Sequence, residues 1–242
     1  MIIRGGRLQQ ARYQDKLPYV TDNLVMFLDA GDHASYPGAG SVWYDISGNG
    51  YDSAIQSGMS YSTDNGGIFN FDGTSNAYAE VPAGFNYDYS AGLTVNVWAK
   101  FSSTSAGIWE RLIDFGNGNP QNNIIIARNY DGNNIVMDIE GLNDSVLTPG
   151  EMPITWNGWA MYTILADGTY WKQYKNGQFY SYENNGLLPA WTTRYYNYIG
   201  RSNWSGDGYY SGAISAVQVY TRALTEPEIL EDYNYFKGRY GL

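Results

Sequence analysis

The chain has 242 residues, 43% of them hydrophobic, enough for a packed core, and no run nears the ~18 apolar residues of a membrane span. Its formal net charge of −10 argues against a nucleic-acid binder, which needs a basic face. With no cysteine it is not a disulfide-stapled scaffold, and no apolar run follows the charges of MIIRGGRLQQ, so that opening does not read as a secretory signal.

Residues 1–22 read as an extended arm. Arg4, Arg7, Arg12 and Lys16 stand against Asp15 and Asp22, a net of +2 that leaves −12 on the rest of the chain. The arm has too few apolar residues before Leu17 to make a core alone. It is therefore a solvated tail or, the favoured reading, an anchor whose four cations dock on a neighbouring subunit of a larger assembly.

From residue 23 to 242 the chain reads as one β-rich body. Twenty-four tyrosines and 29 glycines suit half-buried strands joined by tight turns. Residues 23–29 (NLVMFLD) lack alternation and are expected to be a strand buried on both faces. A loop rich in Gly, Asp and Ser follows, holding the lone His33. Strands are then expected at 67–71, 77–81 and 93–101, where Leu93, Val95, Val97 and Ala99 share one face. Others are expected at 109–115, 122–128, 134–140, 158–165, 169–175, 178–182, 195–200 and 212–220. Asn176-Gly177 between two of these is the signal of a two-residue hairpin. One helix is expected: Thr225 and Glu228 form a capping box around Pro227, apolar residues follow near helical spacing, and Gly238 is read as its stop. About a dozen short strands predict a sandwich.

The succession LVMFLDAGDHASYPGAGSVWYDISGNG, FNFDG, LTVNVWAKF, RLIDFGNG, NGWAMYTILADGTYWKQYKNGQ and YIGRSNWSGDGYYSGAISAVQVYTRALTEPEIL resembles the concanavalin A-like, laminin-G-like lectin/glucanase superfamily. The resemblance covers roughly residues 23–235. It implies a jelly roll of two antiparallel sheets that takes ligands on its concave face or in its rim loops. The SYPGAGSVWYDISGNG wording and the KGRYGL ending look like the versions found in phage structural proteins. This implies a virion tail, fibre or head-decoration subunit, released without a signal peptide, with glycan or host-surface adhesion as an added role. A stand-alone carbohydrate-binding module and a glycoside hydrolase are the alternatives.

Ser–His and Cys–His catalysis lack their parts, because there is no cysteine and His33 sits in a polar loop. Hydrolases of the resembling superfamily carry E-x-D-x-E on one strand. Here Asp138 and Glu140 fit, but Val136 occupies the first acid's position. Glu110 and Asp114 are a second same-face pair, and all four acids are read as structural or solvated, so no enzyme is expected. No cofactor is expected either, although Asp45, Ser47, Asn49 and Asp52 crowd oxygen donors in one loop. They suit calcium or, on the competing reading, an Asx turn that bonds its own backbone. The loop GRSNWSGDGYYSG offers Arg201, Asn203, Trp204, Asp207, Tyr209 and Tyr210, with Trp43 on a neighbouring rim. Those residue types suit a glycan platform, a protein contact or a roof over the core.

Overall fold

The computed structural model describes residues 18–102, 107–140 and 152–242. The arm's Arg4, Arg7, Arg12 and Lys16 lie outside the described residues. In chain order the strands are β1 (Leu24–Asp29), β2 (Val42–Trp43), β3 (Ser53–Ile55), β4 (Met59–Ser62), β5 (Ile68–Asp72), β6 (Ala79–Val81), β7 (Leu93–Phe101) and β8 (Arg111–Gly116). There follow β9 (Ile124–Arg128), β10 (Asn134–Ile139), β11 (Met152–Pro153), β12 (Ala160–Ala166), β13 (Trp171–Lys175), β14 (Gln178–Glu183), β15 (Tyr196–Ile199) and β16 (Ser211–Tyr220). One helix, α1 (Glu226–Phe236), comes last and runs into a 3₁₀ turn at Lys237–Tyr240. Gly238 thus sits inside that turn and is not a stop.

The strands form two antiparallel sheets, the all-β sandwich that the strand pattern and the resemblance led us to expect. The back sheet runs β14-β13-β12-β7-β16-β5-β4, with β1 also paired to β16. The front sheet runs β11-β10-β9-β8-β15-β6-β3-β2. Between them lies the core, including Leu93, Val95, Val97, Ala99 and Phe101 of β7 against Leu112, Ile113, Ile126 and Met137 of the front sheet. The β13–β14 hairpin turns on Asn176 and Gly177, with φ of 53° and 75°, as its sequence predicts.

Much of the outer face of the back sheet is covered. Trp98, on the opposite face of β7 from the core residues, stacks on Tyr233 of α1 and on Tyr240 at centroid distances of 5.7 and 4.5 Å. Phe27 of β1 meets Phe236 and Tyr19, which is why residues 24–28 are apolar on both faces of the strand. Tyr19 and Val20 therefore pack against the sandwich rather than trailing from it. Asp232 of α1 holds this layer together. Its carboxylate accepts bonds from the Val20 amide (2.9 Å), Asn96 Nδ2 (2.9 Å) and the Tyr220 hydroxyl (2.8 Å).

Burial pushes the Asp232 carboxyl up to about 6, although all three donors favour its charged form. The folded protein therefore binds this proton more tightly than the unfolded chain, whose carboxyl titrates near ~4. The stability this group contributes is present below that value and is lost as pH rises through about 6. Denaturant titrations should show the wild type losing roughly 2–3 kcal/mol across this window through Asp232. Asp232→Asn should flatten that slope while lowering stability at every pH. An unchanged slope in the variant would refute the assignment.

Candidate functional site

Residues directly opposite one another on neighbouring strands share a face. Register therefore lines up Glu80, Tyr198, Asp114, Ile125 and Asp138 across β6, β15, β8, β9 and β10. A parallel row joins Arg111, Ala127 and Val136. All of them lie on the outer face of the front sheet. Period two along β10 and just beyond it adds Glu140 to the face of Val136 and Asp138.

Two loops raise walls on this face. One carries Trp109, whose backbone takes φ of 56°, an unusual value for a bulky side chain. The other is the 200–212 loop, which brings Trp204 and Asp207. Gly107 and Gly208 let the two loops touch: a Cβ on either would stand within 2.8 Å of the other's Cα. The Gly208 amide also bonds the Ile108 carbonyl at 2.7 Å. Between the walls is a groove of about 160 Å³ floored by Ile125, Ala127 and Val136, with Asp138 and Glu140 at its polar end. That is smaller than the ~300–1,000 Å³ of drug-sized pockets, so it has room for one ring-sized group.

Arg111 ties the walls together. Its Nη2 bonds Asp207 at 2.8 Å, its Nη1 bonds the Trp109 carbonyl at 2.9 Å, and its Nε lies 3.6 Å from Asp114. The guanidinium sits over both indoles, 5.8 Å from the Trp109 ring and 5.3 Å from the Trp204 ring. Asp207 also accepts the Ser202 hydroxyl at 2.7 Å. Glu140 is 4% exposed, and its Oε2 has no hydrogen-bond partner among the described residues. Burial, then the charges of Asp138 and Asp114, push its carboxyl up to about 7 against the opposing pull of Arg111.

The residues expected to form a site divide into several groups. Trp204 and Asp207 line the groove. Asn203 is structural: its amide N–H and side chain bond Asp114 at 2.9 and 2.8 Å. Arg201 is held between Tyr78 and Tyr198, 4.7 and 4.5 Å from their centroids, as a shelf beside the groove. Tyr209 is half-buried in the loop. Tyr210 and Trp43 need correcting, because both are fully buried. Tyr210 points inward to Phe101 (4.9 Å) and Phe71 (5.4 Å), and Trp43 packs on Phe69 (4.8 Å). Their polar tips do not reach the face where a ligand would lie.

The loop of Asp45, Ser47, Asn49 and Asp52 is a hydrogen-bonded turn. Asp45 accepts the amides of Phe27, Ser47 and Tyr51 and the Ser47 hydroxyl, and Asp52 accepts the Asp45 amide. Both Asp45 oxygens and Asp52 Oδ1 therefore accept bonds from the protein itself, as an Asx-type turn does. Glu110 and Asp114 are structural, as expected: Glu110 bonds Arg128 and the Ser211 amide, and Asp114 bonds Asn123 and Asn203. Asp138 and Glu140 depart from expectation, because they line the groove. Trp109 and Arg111 were not foreseen as site residues. The alternation of VMDIE was the one available signal for the groove's acids.

Residues 72–230 match the Laminin_G_3 profile of the concanavalin A-like lectin/glucanases superfamily. The chain belongs to this superfamily. No curated protein is similar to it in sequence. Among solved structures, this lectin-like sandwich is similar to domain 4 of AbnA, an extracellular arabinanase from Geobacillus stearothermophilus in complex with arabinotriose. The TM-score is 0.66 at 17% identity, covering 87% of this chain and 98% of that one. It is also similar to the binding domain of Paraclostridial Mosquitocidal Protein 1 (TM-score 0.63, 16% identity, 89% of this chain and 53% of that one). A third similar structure is Trypanosoma rangeli sialidase in complex with sialic acid (0.61, 17%, 87% and 32%). The superfamily sandwich thus spans about half of the toxin binding domain it matches. At these identities the likeness is one of fold.

The two halves of the 200–212 loop should separate in a stability assay. Tyr210→Ala removes a core ring and should cost about 3–5 kcal/mol of unfolding free energy. Trp204→Ala, on a half-buried wall, should cost about 1 kcal/mol. Equal losses in urea denaturation would contradict this division.

Proposed function

We propose that this protein is a non-catalytic, lectin-like module that binds a glycan in the front-sheet groove. The observation that carries the reading is the groove's composition: two indole walls, an apolar floor and a buried carboxylate oxygen of Glu140 without a partner among the described residues. Sugar rings present C–H faces to aromatic rings, and their hydroxyls donate to carboxylates. The arabinotriose complex and the toxin binding domains of the same fold support it. Against catalysis, Glu110 and Asp114 are held in protein bonds, and Val136 replaces the first acid of the hydrolase strand pattern.

The test is a glycan array followed by calorimetry. Trp204→Ala should weaken glycan affinity by about ten-fold or more, in line with loss of an aromatic anchor, while the fold survives. Unchanged affinity would overturn the groove as the site. One observation favours a second reading, glycoside hydrolysis: Glu140 beside Asp138, with its carboxyl near neutrality, has the environment of a general acid. That reading requires reducing-sugar release that disappears in Glu140→Gln.

We further propose a setting for this module: a phage virion, as a tail, fibre or head-decoration subunit anchored to its neighbours by the part of the 1–22 arm that precedes Tyr19. The resemblance of the SYPGAGSVWYDISGNG stretch to phage structural proteins supports it, as does a basic arm on an acidic body. Deleting residues 1–17 should abolish incorporation into particles and leave the denaturation midpoint of the sandwich unchanged. Normal incorporation without the arm would refute the anchoring role.

A further inference from the structure

The lining of the groove carries three carboxylates, Asp138, Glu140 and Asp207, against one guanidinium, Arg111. That cation is already committed. Its two Nη atoms bond Asp207 and the Trp109 carbonyl, its Nε makes no hydrogen bond among the described residues but faces the Asp114 carboxylate at 3.6 Å, and two indoles flank it. Little of its charge is left for a ligand. Glu140, in the same lining, is almost wholly buried and its Oε2 has no hydrogen-bond partner among the described residues. A buried acceptor of this kind costs free energy until a donor reaches it. The groove therefore asks for a donor, and for positive charge.

We propose that the glycan recognised in this groove carries a free amino group, as a de-N-acetylated hexosamine does. The inference rests on the glycan reading above and sharpens its ligand. An ammonium group placed at Glu140 makes a charge-assisted hydrogen bond, roughly twice as strong as a neutral one. It also offsets the mutual repulsion of Asp138, Asp114 and Glu140 that helps hold the Glu140 proton on. An acetamido group brings a neutral donor and more bulk into about 160 Å³. A uronic or sialic acid brings a fourth negative charge, and the one guanidinium nearby is already paired. The indole walls contribute the face contact that distinguishes a sugar ring from a flexible cation.

The experiment is calorimetry on the full chain with three oligosaccharides of equal length. They are a β-1,4-linked glucosamine oligomer, its fully N-acetylated counterpart and an oligogalacturonide, with an oligolysine of matching charge as a fourth arm. The glucosamine oligomer should bind on the order of ten-fold more tightly than the acetylated one, an advantage that falls with salt. The oligogalacturonide should bind most weakly. Glu140→Gln, which removes charge and loses no hydrogen bond at Oε2, should erase the amine preference, and Asp138→Asn should reduce it. If the acetylated or acidic oligomer binds as tightly as the amine, the inference is wrong and the glycan reading stands. If oligolysine matches the amino sugar, the groove is a general cation cleft and the inference is again wrong. If none of the sugars binds, both readings fall.

Discussion

Asp232 sits beneath α1 without contact with solvent, and its two oxygens take bonds from three distant parts of the chain. Val20 comes from the entry segment, Asn96 from the centre of the back sheet, and Tyr220 from the last strand. Burying that carboxylate opposes ionisation strongly enough to lift its pKa. What the arrangement achieves is coverage. A sandwich has four sheet faces, of which two make the core. The helix, the 3₁₀ turn and the segment around Tyr19 cover much of the third, and Trp98 stacks against two tyrosines there. The Arg239–Asp29 pair, at 2.6 and 2.7 Å, ties the end of that layer back to β1. That layer does not cover the outer face of the front sheet, and the groove lies there.

Strand periodicity made much of this fold readable before any coordinates. The run Leu93–Phe101 alternates in the sequence and alternates in space, and Asn176-Gly177 turns as such pairs do. Its polar-looking face, with Asn96 and Trp98, could also be assigned to one side of β7, but nothing local revealed that a helix from the far end of the chain would bury it. β2, β3, β4 and β11 escaped: two to four residues give little period to read, and β6 and β15, equally short, were found only inside the longer runs 77–81 and 195–200. Their pairing is decided by neighbours, not by their own pattern.

The site was less legible, for a different reason. In GDGYY the two tyrosines are equivalent by composition, and only the geometry of the loop turns Tyr210 inward and leaves Tyr209 half-exposed. Trp43 looked like a rim ring because it lies in a glycine-rich loop, yet its two-residue strand puts it in the core. Arg111 and Trp109 were silent for the opposite reason. Arg111 has ordinary strand surroundings in sequence, and the left-handed backbone that accompanies Trp109's place beside the groove leaves no mark in residue type. The acids of VMDIE could be put on one face, but whether that face was open depended on the covering of the other sheet.

The way the groove is held bears on what it can bind. Its walls are positioned by bonds made within the protein: Arg111 to Asp207, Arg111 to the Trp109 carbonyl, Asp207 to Ser202, and the contact of Gly107 with Gly208. Side chains fixed in this way lose little freedom when a ligand arrives, so more of the contact energy appears as affinity. The same bonds pair the one cation of the lining and leave Asp138 and Glu140 in excess. Preorganisation and the proposed preference for a cationic ligand therefore share one source. Arg111 cannot both brace the two indoles and greet an anionic sugar, and the geometry assigns it to bracing.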